Sequence, residues 1–152
     1  MKENPAMKKV AENMKPGVIS LHGFMGNDKR NIEMLIEHDA AELERLGVSA
    51  EEIADKLEEI KNKALEGLGD YIGISDDYLA KADSVRGKLP CPFTHPGLYR
   101  KTLITVKEKE GGDELLFTEL GIHLIREHGF FQGMGSPFRL EPSDLALLLG
   151  KL

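Results

Sequence analysis

Two stretches of this chain concentrate side chains able to do chemistry. The first is Cys91-Pro-Phe-Thr-His95, where a thiol and an imidazole are separated by three residues, a spacing that zinc sites use. Pro90, Pro92 and Pro96 restrict the backbone of this loop and would hold the two groups in a fixed relation. A zinc ion needs at least one further ligand, and His22, His123 and His128 are the candidates. The function that follows is a zinc-dependent, hydrolase-like enzyme using Cys91, His95 and one more histidine. The same thiol could be a nucleophile with His95 or His123 as its base, although its nearly uncharged loop does little to lower its pKa. The plain alternative is a buried free cysteine beside a surface histidine.

The second stretch runs from His123 to Arg139. On the preceding helix, Leu120 and Leu124 face one way while Ile122 and Ile125 face another, the mark of a helix buried on more than one side. His123 lies beside Leu120 and Leu124. Glu119, His123 and Glu127 recur at intervals of four, so a carboxylate should orient the imidazole and raise its pKa. After Gly129 come two phenylalanines and a Gly-x-Gly-Ser loop that would expose backbone amides, with Arg139 nearby to hold a phosphate or carboxylate. No lysine follows the glycines and no helix is expected to begin at Ser136, so this is not a phosphate loop of a known kind. The leading expectation is a small cytoplasmic binding or interaction domain. Its polar pocket would be built from His123, His128, Gly133, Gly135, Ser136 and Arg139 around a small anionic ligand.

The elements that must position these groups can be read from periodicity. Asn4-Pro5 starts a helix that stops before Pro16. Val18 to Leu21 reads as a short strand, and Asp28 as the cap of the next helix. Ile32, Leu35, Ile36, Leu43 and Leu46 recur at helical spacing up to Gly47. Ser49 and Glu52 form a capping box for a helix carrying Ile53, Leu57, Ile60, Ala64 and Leu65. The short connection predicts that these two helices pack as an antiparallel hairpin. Tyr71 to Ile74 reads as a strand, Ser75 to Val85 as a capped short helix, and Gly87 to Gly97 as an irregular loop. Tyr99 to Lys107 and Glu114 to Thr118 form a β-hairpin about Gly111-Gly112-Asp113. A helix over residues 119–128 and a last one from Pro142 complete a single α+β domain over residues 1–152. Its helical hairpin and other helices should cover one face of a small antiparallel sheet.

Composition narrows the classes. A net charge of −6 argues against general affinity for nucleic acid or anionic lipid. The longest apolar run, Leu145 to Leu149, is far short of the ~20 residues of a membrane helix, and the first residues carry no signal-peptide core. One cysteine allows no internal disulfide, which fits a reducing cytoplasm. The apolar stripe of the helical hairpin leaves room for a homo-oligomer.

Two short segments resemble parts of known families. Val18-Ile-Ser-Leu-His-Gly-Phe-Met-Gly26 resembles the strand and oxyanion loop that opens an α/β-hydrolase domain, but no Gly-x-Ser-x-Gly nucleophile elbow exists in the chain. Residues 46–57, together with the hairpin from Lys101 and the segment 117–125, resemble parts of a winged-helix DNA-binding domain. That resemblance implies nucleic-acid binding, yet after Leu57 the sequence continues with Glu58 and Glu59 where a turn and a basic recognition helix should follow.

Overall fold

A computed structural model describes residues 5–152, so the capping role expected of Asn4 lies outside the described residues. The chain forms α1 (Pro5–Asn13), α2 (Ile32–Leu46), α3 (Ala50–Leu65), β1 (Ile72–Gly73), β2 (Tyr78–Pro90), β3 (Leu98–Glu108), β4 (Leu115–Thr118), α4 (Glu119–His128) and α5 (Pro142–Leu149). The four strands pair antiparallel in chain order, and helices pack on the sheet, as the α+β reading expects.

The largest departure is β2. Residues 78–85, expected to be helical, are extended, and the strand runs on to Pro90. Tyr78, Ala80 and Ala82 alternate into the core, with Ala80 opposite Val106 and Ala82 opposite Ile104. Alanine, lysine and aspartate are weak strand formers, so local propensity pointed elsewhere; pairing with the β-branched residues of β3 decides the outcome. A break in register between Val85 and Lys88 accommodates Arg86 and Gly87, the latter at φ +106°. The loop that carries Cys91 is therefore only the tight link between β2 and β3.

Residues 18–21 form turns, not a strand, and have no strand partner to complete them. The cap of α2 is Asn31, whose side chain accepts from the Met34 N–H at 2.8 Å; Asp28 instead holds Arg30 and the Met134 N–H. Gly47 ends α2 in the left-handed region, and Ser49 caps α3, as the sequence indicates. The two helices do not close into the expected hairpin: α2 packs on α5, whereas α3 packs on α4 and β2. The stripe of α2 is divided, with Leu43 in one apolar cluster and Ile32 and Leu35 in another, while Ile53, Leu57, Ile60 and Ala64 of α3 belong to the first and Leu65 is exposed.

Those two clusters meet across α4. Ile122 and Ile125 join the cluster under the sheet; Leu120 and Leu124 join the one formed with Val10, Met14, Phe24, Leu35, Cys91 and Phe130. This two-sided burial is the one expected from the sequence, and it fixes the rotation of the helix that carries His123 and His128.

Candidate metal centre

The ends of α4 are closed by local hydrogen bonds. Thr118 Oγ1 accepts from the Gly121 N–H at 2.9 Å, and at the other end the Gly129 and Phe130 N–H groups donate to Ile125 and Leu124. Gly129 takes φ +60°, turning the chain so that Phe130 enters the core just after His128. Opposite this helix, the loop of residues 91–97 folds on itself through a Thr94 N–H to Cys91 carbonyl bond of 3.1 Å. Asn13 of α1 anchors it, donating from Nδ2 to the Pro92 carbonyl at 3.0 Å.

This arrangement brings Cys91, His123 and His128 together, each offering a ligand atom within 4.8 Å of the others. Cys91 Sγ lies 3.4 Å from His128 Nε2. His95, on the same loop as Cys91, places Nδ1 3.2 Å from His123 Nε2, with the two rings stacked at 5.0 Å. Zinc bonds of about 2.3 Å to sulfur and 2.0–2.1 Å to nitrogen put neighbouring tetrahedral ligands roughly 3.3–3.6 Å apart. Both short separations are close to such edges. Tyr99 Oη sits 2.9 Å from His123 Nδ1, which leaves Nε2 as the nitrogen turned towards His95. Phe93 stacks on His128 with ring centroids 4.2 Å apart.

Burial sets the protonation of the cluster. His123, 8% exposed, is held down to about 4, first by desolvation and then by the neighbouring His128 and His95. Desolvation also pushes His128 below its ordinary value. The expectation that a carboxylate raises the His123 pKa is corrected here. Glu119 points away, to Lys61 and the Arg100 N–H, and the small upward pull of Glu127 is outweighed. The Cys91 thiol is pushed up by burial and is 3% exposed, so it is a protonated, covered group, the reverse of what a free nucleophile needs.

The remaining candidates fall elsewhere. His22 is exposed and lies outside the cluster. The side chain of Arg139 is covered, with Nη2 2.9 Å from Asp39 Oδ1, Nε 3.1 Å from Glu141 Oε1 and Nη1 donating to the Gln132 carbonyl. Ser136 Oγ donates to Gln132 Oε1 at 2.6 Å. Gly133 lies so close to Met25 that a Cβ would overlap its carbonyl, and its N–H donates to Phe24. Gly135, at φ +86°, packs against Asn27. Structure thus separates the sequence's polar pocket into two parts: the imidazoles join Cys91, and the glycine loop with Arg139 is packed against residues 24–28 and α2.

Sequence reasoning missed Tyr99, Phe93 and Asp39. The first two carry no signal beyond their place near the loop. Asp39 did carry one, because it occupies a buried position in the stripe Ile32, Leu35, Asp39, Leu43, where an acid requires a partner. Of the two short resemblances, residues 18–26 form turns, and α3 runs unbroken to Leu65 and is followed by β1, so no second helix stands in the recognition position. No helix among the described residues is long and apolar enough to cross a membrane. No family model, curated protein or solved structure matches this chain.

Proposed function

We propose that this chain is a zinc-binding protein in which Cys91, His123 and His128 hold the ion and His95 covers its fourth position. The observation that carries this reading is that Cys91, His123 and His128, from two separate segments, offer ligand atoms within 4.8 Å of one another, with the Cys91–His128 pair at 3.4 Å and His95 3.2 Å from His123. Three further features support it. The two α4 imidazoles are biased to the neutral form that binds metal, Tyr99 engages the far nitrogen of His123 as an outer-shell partner does, and one thiolate with imidazoles is a donor set suited to zinc. The ion would clasp the β2–β3 loop to α4. A single thiol ligand is preserved best in a reducing compartment, and we assign the protein to the cytoplasm on that ground.

The test is replacement of zinc by cobalt(II) in the purified chain. Tetrahedral ligand-field bands together with a thiolate-to-cobalt charge-transfer band that disappears in Cys91→Ser support the site. A spectrum equal to that of cobalt in buffer rejects it.

A second reading, hydrolysis at the ion, draws on a cleft of about 400 Å³ beside Tyr99 and His123, flanked by Lys61, Glu119 and Arg126. It requires His95 to give way to water. Ester or phosphoester turnover that vanishes on zinc removal supports this role, and inert zinc-loaded protein rejects it.

A further inference from the structure

A second cavity lies away from the cysteine–histidine cluster, between residues 19–24, the β2–β3 arm and Phe138. Its volume is about 430 Å³, within the range of small-molecule sites, and most of its wall is hydrocarbon from Ile19, Phe24, Leu89, Leu103, Leu120 and Phe138. Leu21 and Val85, also on its wall, are 79% and 67% exposed, an unusual degree for large apolar residues so close together.

The charged groups on this wall are two cations, Arg100 and Lys101, and one acid, Asp83, while Ser20, Thr102, Thr118 and Gln132 supply neutral polar groups. Arg100 and Lys101 enter no ion pair among the described residues. Asp83, the acid on the wall, already faces Lys81 at 3.7 Å. Gln132 is 4% exposed, and its Oε1 accepts from Ser136 Oγ, while its amide nitrogen has no acceptor among the described residues. Gln132 is also held at φ +71°, where a residue with a side chain is strained; the Arg139 guanidinium on its carbonyl helps to pin it there. That amide nitrogen is not sealed from solvent, and it is free to donate to a molecule in the cavity.

We propose that this cavity binds a small amphipathic carboxylate, of the kind exemplified by a medium-chain fatty acid. The hydrocarbon body would lie along Leu89, Leu103 and Phe138. Arg100 and Lys101 supply positive charge for the carboxylate, and the Gln132 amide supplies a donor for a ligand oxygen. An uncharged apolar molecule would leave all three unused, and a highly charged one would waste the apolar wall. The site is independent of the zinc cluster and shares no ligand residue with it.

The experiment is calorimetric titration of the full chain with decanoate below its micelle concentration, with 1-decanol as the uncharged comparison. Decanoate should bind one per chain and roughly tenfold or more tighter than decanol. The exposed pair of changes Arg100→Ala and Lys101→Ala should weaken decanoate roughly tenfold and leave decanol unchanged. Leu103→Trp, which fills the cavity, should abolish both, with folding checked by circular dichroism. Cys91→Ser should bind decanoate as the parent chain does, which separates this site from the metal reading. Absence of decanoate binding, equal binding of decanoate and decanol, or decanoate binding unchanged by Leu103→Trp overturns the proposal.

Discussion

Zinc binding to the Cys91–His123–His128 cluster should release about one proton per ion near pH 7.5, and that proton should come from Cys91. Burial raises the Cys91 thiol above its ordinary 9.0, so the metal-free group carries its proton at this pH, whereas a zinc-bound sulfur is a thiolate. His123, held near 4, has none to give, and His128 is shifted in the same direction. The count is read from the slope of binding enthalpy against buffer ionisation enthalpy in at least two buffers. The Cys91→Ser variant should bind more weakly and bring the count close to zero. Lowering the pH to 5.5 sharpens the test. A histidine with the ordinary value of 6.5 would then add most of a proton, while His123 adds almost none. Release of two or more protons at pH 7.5, or a count unchanged by Cys91→Ser, would refute the assignment of protonation states and the role of the thiol together.

Other predictions concern the frame around the site. In the metal-free chain His123 titrates near 4 when folded and near 6.5 when unfolded. Its contribution to stability is therefore complete above about pH 6.5 and is lost as the pH falls towards 4. The total is about 3 kcal/mol, measurable by urea unfolding across that range. Tyr99→Phe removes the hydroxyl 2.9 Å from His123 Nδ1 and should weaken zinc about 10- to 100-fold in a competition assay with a chelating dye, without unfolding the chain. Arg139→Met leaves Asp39 buried without its cation and should cost about 3–5 kcal/mol by chemical denaturation, of which Asp39→Asn in the same chain restores part. Gly133→Ala should destabilise through the overlap with the Met25 carbonyl, seen as a lower thermal midpoint with zinc stoichiometry retained.

What the sequence made legible follows from where the decisive interactions lie. The end of α4, the capping of α3 and the end of α2 are set by hydrogen bonds within a few residues, so Gly129, Ser49 and Gly47 announce them. The two-sided burial of α4 was visible because leucines and isoleucines separate by angle on one helix. The identity of β2 was not, because its alanines and charged residues become a strand only through pairing with β3. For the same reason the helical hairpin was misplaced: the division of the α2 stripe between two clusters depends on α5 and α1, far along the chain.

The candidate site shows the same division. Cys91 and His95 could be singled out by spacing, and His123 and His128 stood among the histidines able to complete a set. Which of them meet the thiol was decided by the packing of α4 against the loop, with Asn13 holding that loop from the opposite side. Arg139 looked free in the sequence because its buried partner, Asp39, lies 100 residues away.

The most direct measurement of the central claim is native mass spectrometry of the purified full chain against its denatured mass, after growth with zinc. The account predicts one zinc per chain, lost in Cys91→Ser and in His123→Ala while circular dichroism shows those variants folded. A bare chain that gains no zinc on addition, or a zinc count unaffected by both substitutions, would contradict it.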